Sequence, residues 1–148
     1  FITIQEYKMG RAKKENLKHV IYTSRPTFFE IEILDNILNT SRTNNTKWDI
    51  TGNLIFHSDL FLQLLEGPPD AIDSLYQNIL LDNRHTDIFK LRDEITQRRL
   101  FASWTMKNDI FQSWMLSRGA LNQLNSEDAF DIFVKLARET DQFLDKDD

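Results

Sequence analysis

One polar side chain lies where the surrounding residues leave no obvious place for it. Gln63 sits inside Leu60-Phe61-Leu62-Gln63-Leu64-Leu65-Glu66-Gly67, a run apolar on both sides of the two-residue alternation, which predicts a strand covered on both faces. A primary amide brings two donors and two acceptor sites into that dry setting. Left unpaired it costs roughly 1–3 kcal/mol, so something polar must meet it. Neighbouring backbone is one candidate, and a ligand with donors and acceptors of its own is another. Four further features stand out: Tyr22 inside a β-branched run, the pair Asn44-Asn45, the pair Arg84-His85, and Trp104 with Met106 two residues on. Singly, each has a plain explanation: a half-buried strand tyrosine, a helix C-terminal turn, a surface helix end with Arg84 helped by the dipole, and core filling. Their co-occurrence points to a binding site.

Other chemistries lack their parts. Gly10, Gly52, Gly67 and Gly119 are far apart, so no glycine-rich loop can cradle a phosphate. His19, His57 and His85 are not at metal-ligand spacing, and no Gly-x-Ser-x-Gly elbow occurs. The absence of cysteine removes thiolate catalysis, disulfides and zinc–sulfur sites. Acidic pairs such as Glu30/Glu32 and Asp145/Asp147 read as solvated surface. The expectation is a protein without catalytic machinery and without a metal.

Composition sets the class. At 148 residues, 41% hydrophobic and 28% charged, the chain is sized for one soluble domain with a real core. A net charge of −5 argues against nucleic acid as a partner. No apolar run approaches the roughly 18 residues of a membrane span, and the first segment lacks the apolar stretch of a signal peptide. A cytoplasmic protein with no membrane partner is expected.

The elements that must position these residues follow from local pattern. Residues 1–17 read as a leader. Lys18–Ser24 reads as a strand ended by Arg25-Pro26. The Thr27-x-x-Glu30 spacing of a capping box opens a helix whose buried stripe is Ile31, Leu34, Ile37, Leu38 and Ser41 and which gives way near Asn44–Lys47. Ile50–Phe56 and the Gln63 run form a hairpin about His57-Ser58-Asp59. Pro68-Pro69 opens a second helix with Ile72, Leu75, Ile79 and Leu80 on its apolar face, closed by Asp82-Asn83-Arg84-His85. Strands follow at Ile88–Ile95 and Phe101–Met106. The order β-α-β-β-α-β-β predicts an α+β, ferredoxin-like sheet with two helices on one face. Beyond it, a short helix near Trp114–Leu121 precedes a longer one, capped at Ser126, with Phe130, Phe133, Leu136, Ala137, Thr140 and Phe143 on one face. These C-terminal helices either cover the bare face of the sheet or pair with another subunit. Residues 18–108 are then the core and 109–148 a helical cap or output region.

Ordered along the core are Val20-Ile21-Tyr22-Thr23-Ser24, Asn44-Asn45, Ile50-Thr51-Gly52, Phe61-Leu62-Gln63-Leu64-Leu65-Glu66-Gly67, Asp82-Asn83-Arg84-His85 and Trp104-Thr105-Met106. In this set and spacing the sequence resembles the BLUF family, blue-light sensors that use flavin. The resemblance implies a non-covalent FAD between the two helices, with Tyr22 and Gln63 as the hydrogen-bonded photochemical pair. It implies that Asn44 and Asn45 hold the pyrimidine edge, that Ile37 and Ile79 sandwich the ring, and that Ser41 adds to the cofactor site. Arg84 and His85 would then contact the ribityl-phosphate side, and Trp104 and Met106 the site and the output. Residue chemistry agrees: amides complement a flavin edge, and tyrosine and tryptophan are the usable one-electron donors of a protein.

Three functions compete. A stand-alone photoreceptor would act through a homo-oligomer, a dimer or larger, or through a downstream signalling protein; the polar end Asp145-Lys146-Asp147-Asp148 reads as a natural stop and favours it. A sensory module cut from a nucleotide cyclase or cyclic-dinucleotide phosphodiesterase is the alternative. The third is a ferredoxin-like binding module that no longer takes flavin.

Overall fold

The computed structural model describes residues 16–27, 31–57, 60–108 and 124–139. Their order is β1 (Leu17–Pro26), α1 (Ile31–Lys47), β2 (Thr51–His57), β3 (Leu60–Gly67), α2 (Pro69–Leu81), β4 (His85–Thr96), β5 (Trp104–Asn108) and α3 (Ser126–Glu139). The strands form one sheet in the order β4-β1-β3-β2-β5. Pairing is antiparallel except where β5 runs parallel to β2. This is the expected ferredoxin-like plan, with the added strand at one edge.

Every residue of β3 is buried, as an apolar run with no polar face requires. Its alternation divides the core in two. Leu60, Leu62 and Leu64 join Ile21 and Ile55 beneath α3, where Ala129, Ile132, Phe133, Leu136 and Ala137 complete the cluster. Phe61 and Leu65 join Val20, Tyr22 and Leu54 on the opposite face, under Ile33, Ile37 and Leu38 of α1 and Ile72, Leu75 and Tyr76 of α2. Of the two fates expected for the C-terminal helices, α3 takes the first and covers the sheet.

Several boundaries differ from expectation for identifiable reasons. Leu17, placed in the leader, already pairs with Thr96 in the sheet. Arg84-His85 does not close the second helix. α2 stops at Leu81 because Asp82 leaves helical geometry and its carboxylate accepts from the Arg84 backbone N–H and guanidinium. His85 opens β4 opposite Pro26, three residues before the expected start, across a bulge in which Asp87 adopts φ 55°. On α2 the buried residue one turn after Ile72 is Tyr76, while Leu80 is 44% exposed. Leu80 lies about 80° around the helix from Ile72, at the margin of the buried face. β5 begins at Trp104 rather than Phe101, because the Leu100 and Phe101 N–H groups donate to the Glu66 carboxylate instead of to a strand. Asn125, not Ser126, caps α3: its Oδ1 accepts the Asp128 N–H at 2.8 Å. The Ser126 hydroxyl receives Arg92 Nη1 at 3.0 Å instead. The capping-box Glu30, the side chains of Ile31 and Leu34, the hairpin residues Ser58-Asp59, the helix near Trp114–Leu121, and Thr140 and Phe143 fall outside the described residues.

Glu66 makes the fold's stability depend on pH. Burial pushes its carboxyl up from 4.5 to about 7, against the pull of the Leu100 and Phe101 amides and Arg99. An acid whose folded pKa is raised favours folding in its neutral form. That contribution is complete below pH 4.5, shrinks as pH rises and is gone above about 7. The shift corresponds to about 3 kcal/mol. Urea denaturation at pH 5 and pH 8 should show this loss in the parent and little of it in Glu66→Gln; equal slopes in the two proteins would remove Glu66 as its source.

Candidate functional site

Two helices standing on one face of a sheet leave a slot between them, and here its floor is polar. Tyr22 and Gln63 pair across β1 and β3, and Gln63 pairs with Leu54 of β2 on its other side. The Gln63 Nε2–H donates to the Tyr22 hydroxyl. The Gln63 Oε1 accepts the Trp104 Nε1–H at 3.0 Å. Gln63, 8% exposed, is thus met by side chains rather than by backbone. Beyond these two bonds a primary amide still has one N–H and one carbonyl lone pair to offer.

The cleft above them measures about 200 Å³. α1 contributes Ile37, Thr40, Ser41, Asn44 and Asn45, which recur at three- and four-residue spacing and so share one helical face. α2 contributes Leu75, Asn78 and Ile79 from the facing wall. Leu54, Phe61 and Leu65 complete an apolar bed. Asn45 is buried, and its backbone carbonyl accepts the Ile50 N–H at 2.8 Å, which ties the end of α1 to the start of β2. A second cavity of about 590 Å³ continues past Asn44, Asn45, Leu75 and Asn78 to Trp48 and Pro68.

At the α2–β4 end, the His85 Nε2–H donates to the Ile79 carbonyl at 2.8 Å, which leaves Nδ1 of the neutral ring to accept from the Ser24 hydroxyl at 2.8 Å. One tautomer is therefore selected by the fold. The Tyr22 ring lies between edges: Tyr76 at 5.9 Å and His85 at 6.3 Å between centroids. Arg84 is engaged with Asp82 through Nε at 2.9 Å and Nη2 at 2.6 Å, which holds the Asp82 carboxyl below the ordinary carboxylate range. Burial pushes the Tyr22 phenol well above its ordinary range, outweighing the Gln63 hydrogen bond that favours ionisation. Tyr22 is therefore a neutral phenol at physiological pH.

Tyr22, Ile37, Ser41, Asn44, Asn45, Gln63, Ile79, Arg84 and His85 all line this one cleft, so the structure brings together nine positions scattered through the core. Trp104 joins them through its bond to Gln63. Met106 pairs in register with Leu54, and its side chain is outside the described residues. Thr40, Asn78 and Asp82 were not anticipated as lining residues. Thr40 and Asn78 each adjoin an expected contact on a helix, Ser41 and Ile79, and polar residues beside an apolar stripe were the available signal. Apolar walls around amide groups suit a flat heteroaromatic ligand that carries both donors and acceptors.

Comparison with known proteins identifies the family and the fold. Residues 17–107 match the family profile BLUF, sensors of blue-light using FAD. The photoactivated adenylate cyclase subunit beta of Euglena longa is 40% identical over 74 residues, which are 49% of this chain and 9% of that protein. The blue light- and temperature-regulated antirepressor BluF of Escherichia coli is 30% identical over 77 residues, 52% of this chain and 19% of that one. The chain therefore spans less than a fifth of the length of either curated relative. Among solved structures, BlrB, a BLUF protein in its dark state, superposes with a TM-score of 0.71 at 26% identity, covering 85% of this chain and 98% of that one. A bacterial light-regulated adenylyl cyclase superposes with a TM-score of 0.59 at 32% identity over 84% of this chain and 34% of that one.

Proposed function

This chain belongs to the BLUF family of blue-light sensors, and on that premise we propose that it is a photoreceptor that holds FAD non-covalently between α1 and α2 and signals by rearranging the hydrogen bonds of Tyr22 and Gln63. The observation that carries this reading is the chain Tyr22–Gln63–Trp104 on the floor of an amide-lined slot. Asn44, Asn45 and Asn78 would meet the donors and acceptors of the ring, Ile37 and Ile79 its faces, and Ser41 would add a hydroxyl. Arg84 and His85 are the residues we assign to the ribityl-phosphate side. Asp82 holds the Arg84 guanidinium in one orientation there.

When bound, the flavin supplies the absorption of blue light and an excited state that withdraws an electron from a neighbouring aromatic side chain. Tyr22, on the floor of the cleft, would be that neighbour, and a phenol that loses an electron becomes strongly acidic. Its proton has a relay beside it in the Gln63 amide. A half-turn of that amide exchanges Nε2 and Oε1, so that Tyr22 would donate to oxygen. The same half-turn would set the Gln63 Nε2–H against the Trp104 Nε1–H, a donor facing a donor, and Trp104 must then release. Rearrangement at the floor of the cleft is in this way coupled to the edge strand β5. We infer that output leaves through β5 and α3 toward a second copy of the chain or a downstream protein, with residues 18–108 as sensor and 109–148 as output region.

The cofactor is tested directly by denaturing the purified protein and identifying the released flavin chromatographically; FAD is expected, and a protein that neither carries flavin nor takes it up would end this reading. Trp104→Phe should leave flavin binding and the light-induced shift largely intact while reducing the light-dependent change in amide exchange of α3. An unaltered change in α3 would mean that output leaves from another face. A second reading is favoured by the small share of the cyclases that this chain matches, 9% and 34%. It makes the chain the sensory module of a longer light-regulated cyclase or cyclic-dinucleotide phosphodiesterase, and the length of the native reading frame decides between the two.

A further inference from the structure

β3 carries two buried polar side chains that point to opposite faces of the sheet. Gln63 faces the cleft, and Glu66, 0% exposed, faces the side covered by α3. The Glu66 carboxylate accepts the Leu100 N–H at 2.8 and 2.9 Å and the Phe101 N–H at 3.0 Å. Phe101 is itself fully buried and meets the Phe133 ring of α3 edge-on, 6.4 Å between centroids. Three residues further on, Trp104 opens β5 and donates to Gln63. The connection from β4 to β5 is thus fastened at three points, and two of its fasteners, Glu66 and Gln63, stand on one strand. Arg99 adds a clasp from the same connection, through Nη1 to the Thr51 hydroxyl at 2.9 Å and through Nη2 to Asp49 at 3.0 Å.

We propose that Glu66 is a positioning residue for the light response: by gripping the backbone of Leu100 and Phe101 it sets the placement of Trp104 on Gln63 and of Phe101 on α3 together, so that a change at one is felt at the other. The inference rests on the photoreceptor reading for its use in signalling, but not for the grip itself. A carboxylate suits the task because two oxygens can accept adjacent N–H groups at once, and a backbone held in this way moves as a unit. The grip also answers to pH, since burial brings the Glu66 carboxyl to about 7. The groups that face it are His19, its cross-strand neighbour on β1, and Arg99 from the β4–β5 connection. His19 Nε2 lies 3.0 Å from the Glu94 carboxylate and 3.2 Å from Arg92 Nε of β4, and α3 meets this cluster with the Phe130 ring and with the Ser126 hydroxyl, which accepts from Arg92.

The experiment compares the FAD-loaded parent with Glu66→Gln and Glu66→Ala, with two readouts. The first needs no light: the indole N–H resonance of Trp104, assigned by its loss in Trp104→Phe, is followed from pH 5.5 to 8.5 in the dark. In the parent it should titrate with a midpoint near 7, and in Glu66→Gln that titration should vanish while any His19 contribution persists. The second is amide exchange of α3, dark against lit. Glu66→Ala should keep the light-induced shift of the flavin bands but lose at least half of the light-minus-dark difference in α3. Glu66→Gln, which keeps one acceptor, should fall between. A purely structural role would lower protection equally in both light states and leave the difference unchanged. A pH-invariant indole resonance in the parent, or a full α3 difference in both variants, would overturn the inference. A parent without any spectral shift would instead overturn the photoreceptor reading, and the dark titration would still decide the grip.

Discussion

Gln63→Leu is expected to give a folded, yellow protein whose flavin bands do not move under blue light. The substitution changes little in size and keeps the apolar face of β3, so both clusters that flank the strand should survive. What disappears is the only group shown bonding both Tyr22 and Trp104. Leucine can neither take a proton from Tyr22 nor present two different hydrogen-bonding ends in two orientations. The loss should be complete. Tyr22→Phe should have the same outcome by removing the phenolic proton while keeping the ring beside Tyr76 and His85. The buried Tyr22 hydroxyl and Trp104 N–H both lose their partner, so thermal stability should fall modestly, the better burial of leucine offsetting part of that cost. A normal shift in either variant would remove the pair from the mechanism.

The second large effect concerns a residue that touches no ligand. Gly52→Ala should destabilise the protein by about 3–5 kcal/mol, the range of severe single substitutions. Gly52 adopts φ 147°, which L side chains rarely occupy, and a Cβ there would fall 2.0 Å from the Leu64 carbonyl oxygen. Backbone on both sides must therefore shift. Gly52 also lies opposite Trp104 in the β2–β5 ladder, and its N–H donates to the Ser103 carbonyl at 3.3 Å. The variant should lose the Trp104–Gln63 bond along with stability. Gly67→Ala, whose Cβ would come to 2.9 Å from the Asp49 carbonyl oxygen, should cost less. Chemical denaturation of both variants checks the ranking; a Gly52→Ala protein of parental stability would contradict the strand geometry.

How far the sequence disclosed this molecule depended on the range of the forces involved. Gln63 was legible because its neighbours leave a polar side chain no local partner. Ile37 and Ser41 could be placed on one face by helical periodicity, whereas Asn44-Asn45, locally a helix-end turn, was assigned to the site only by the resemblance to the BLUF family. The pairing of Tyr22 with Gln63 came only from the resemblance to the BLUF family, because the local pattern names both strands but not their register. What escaped was decided by partners distant in the chain. Nothing near Phe101 signals that its N–H would be taken by Glu66, so the start of β5 was misplaced. Nothing near His85 signals Pro26 across the sheet, so a strand residue was read as a helix end. Leu80 was read as buried and Tyr76 passed over because the choice went by apolar type, although Tyr76 lies nearer than Leu80 to the Ile72 direction around the helix. Whether α3 would cover the sheet or reach another subunit was open because an apolar helical face states that it will be buried and not by what.

The most direct test of the central claim is the absorption spectrum of the purified parent before, during and after blue illumination. The account predicts flavin bands in the dark, a displacement to longer wavelength in light without bleaching, and full return in darkness, since only hydrogen bonds at Gln63 are rearranged. A spectrum that bleaches to reduced flavin, stays unchanged under light, or shows no flavin after loading with FAD would contradict it.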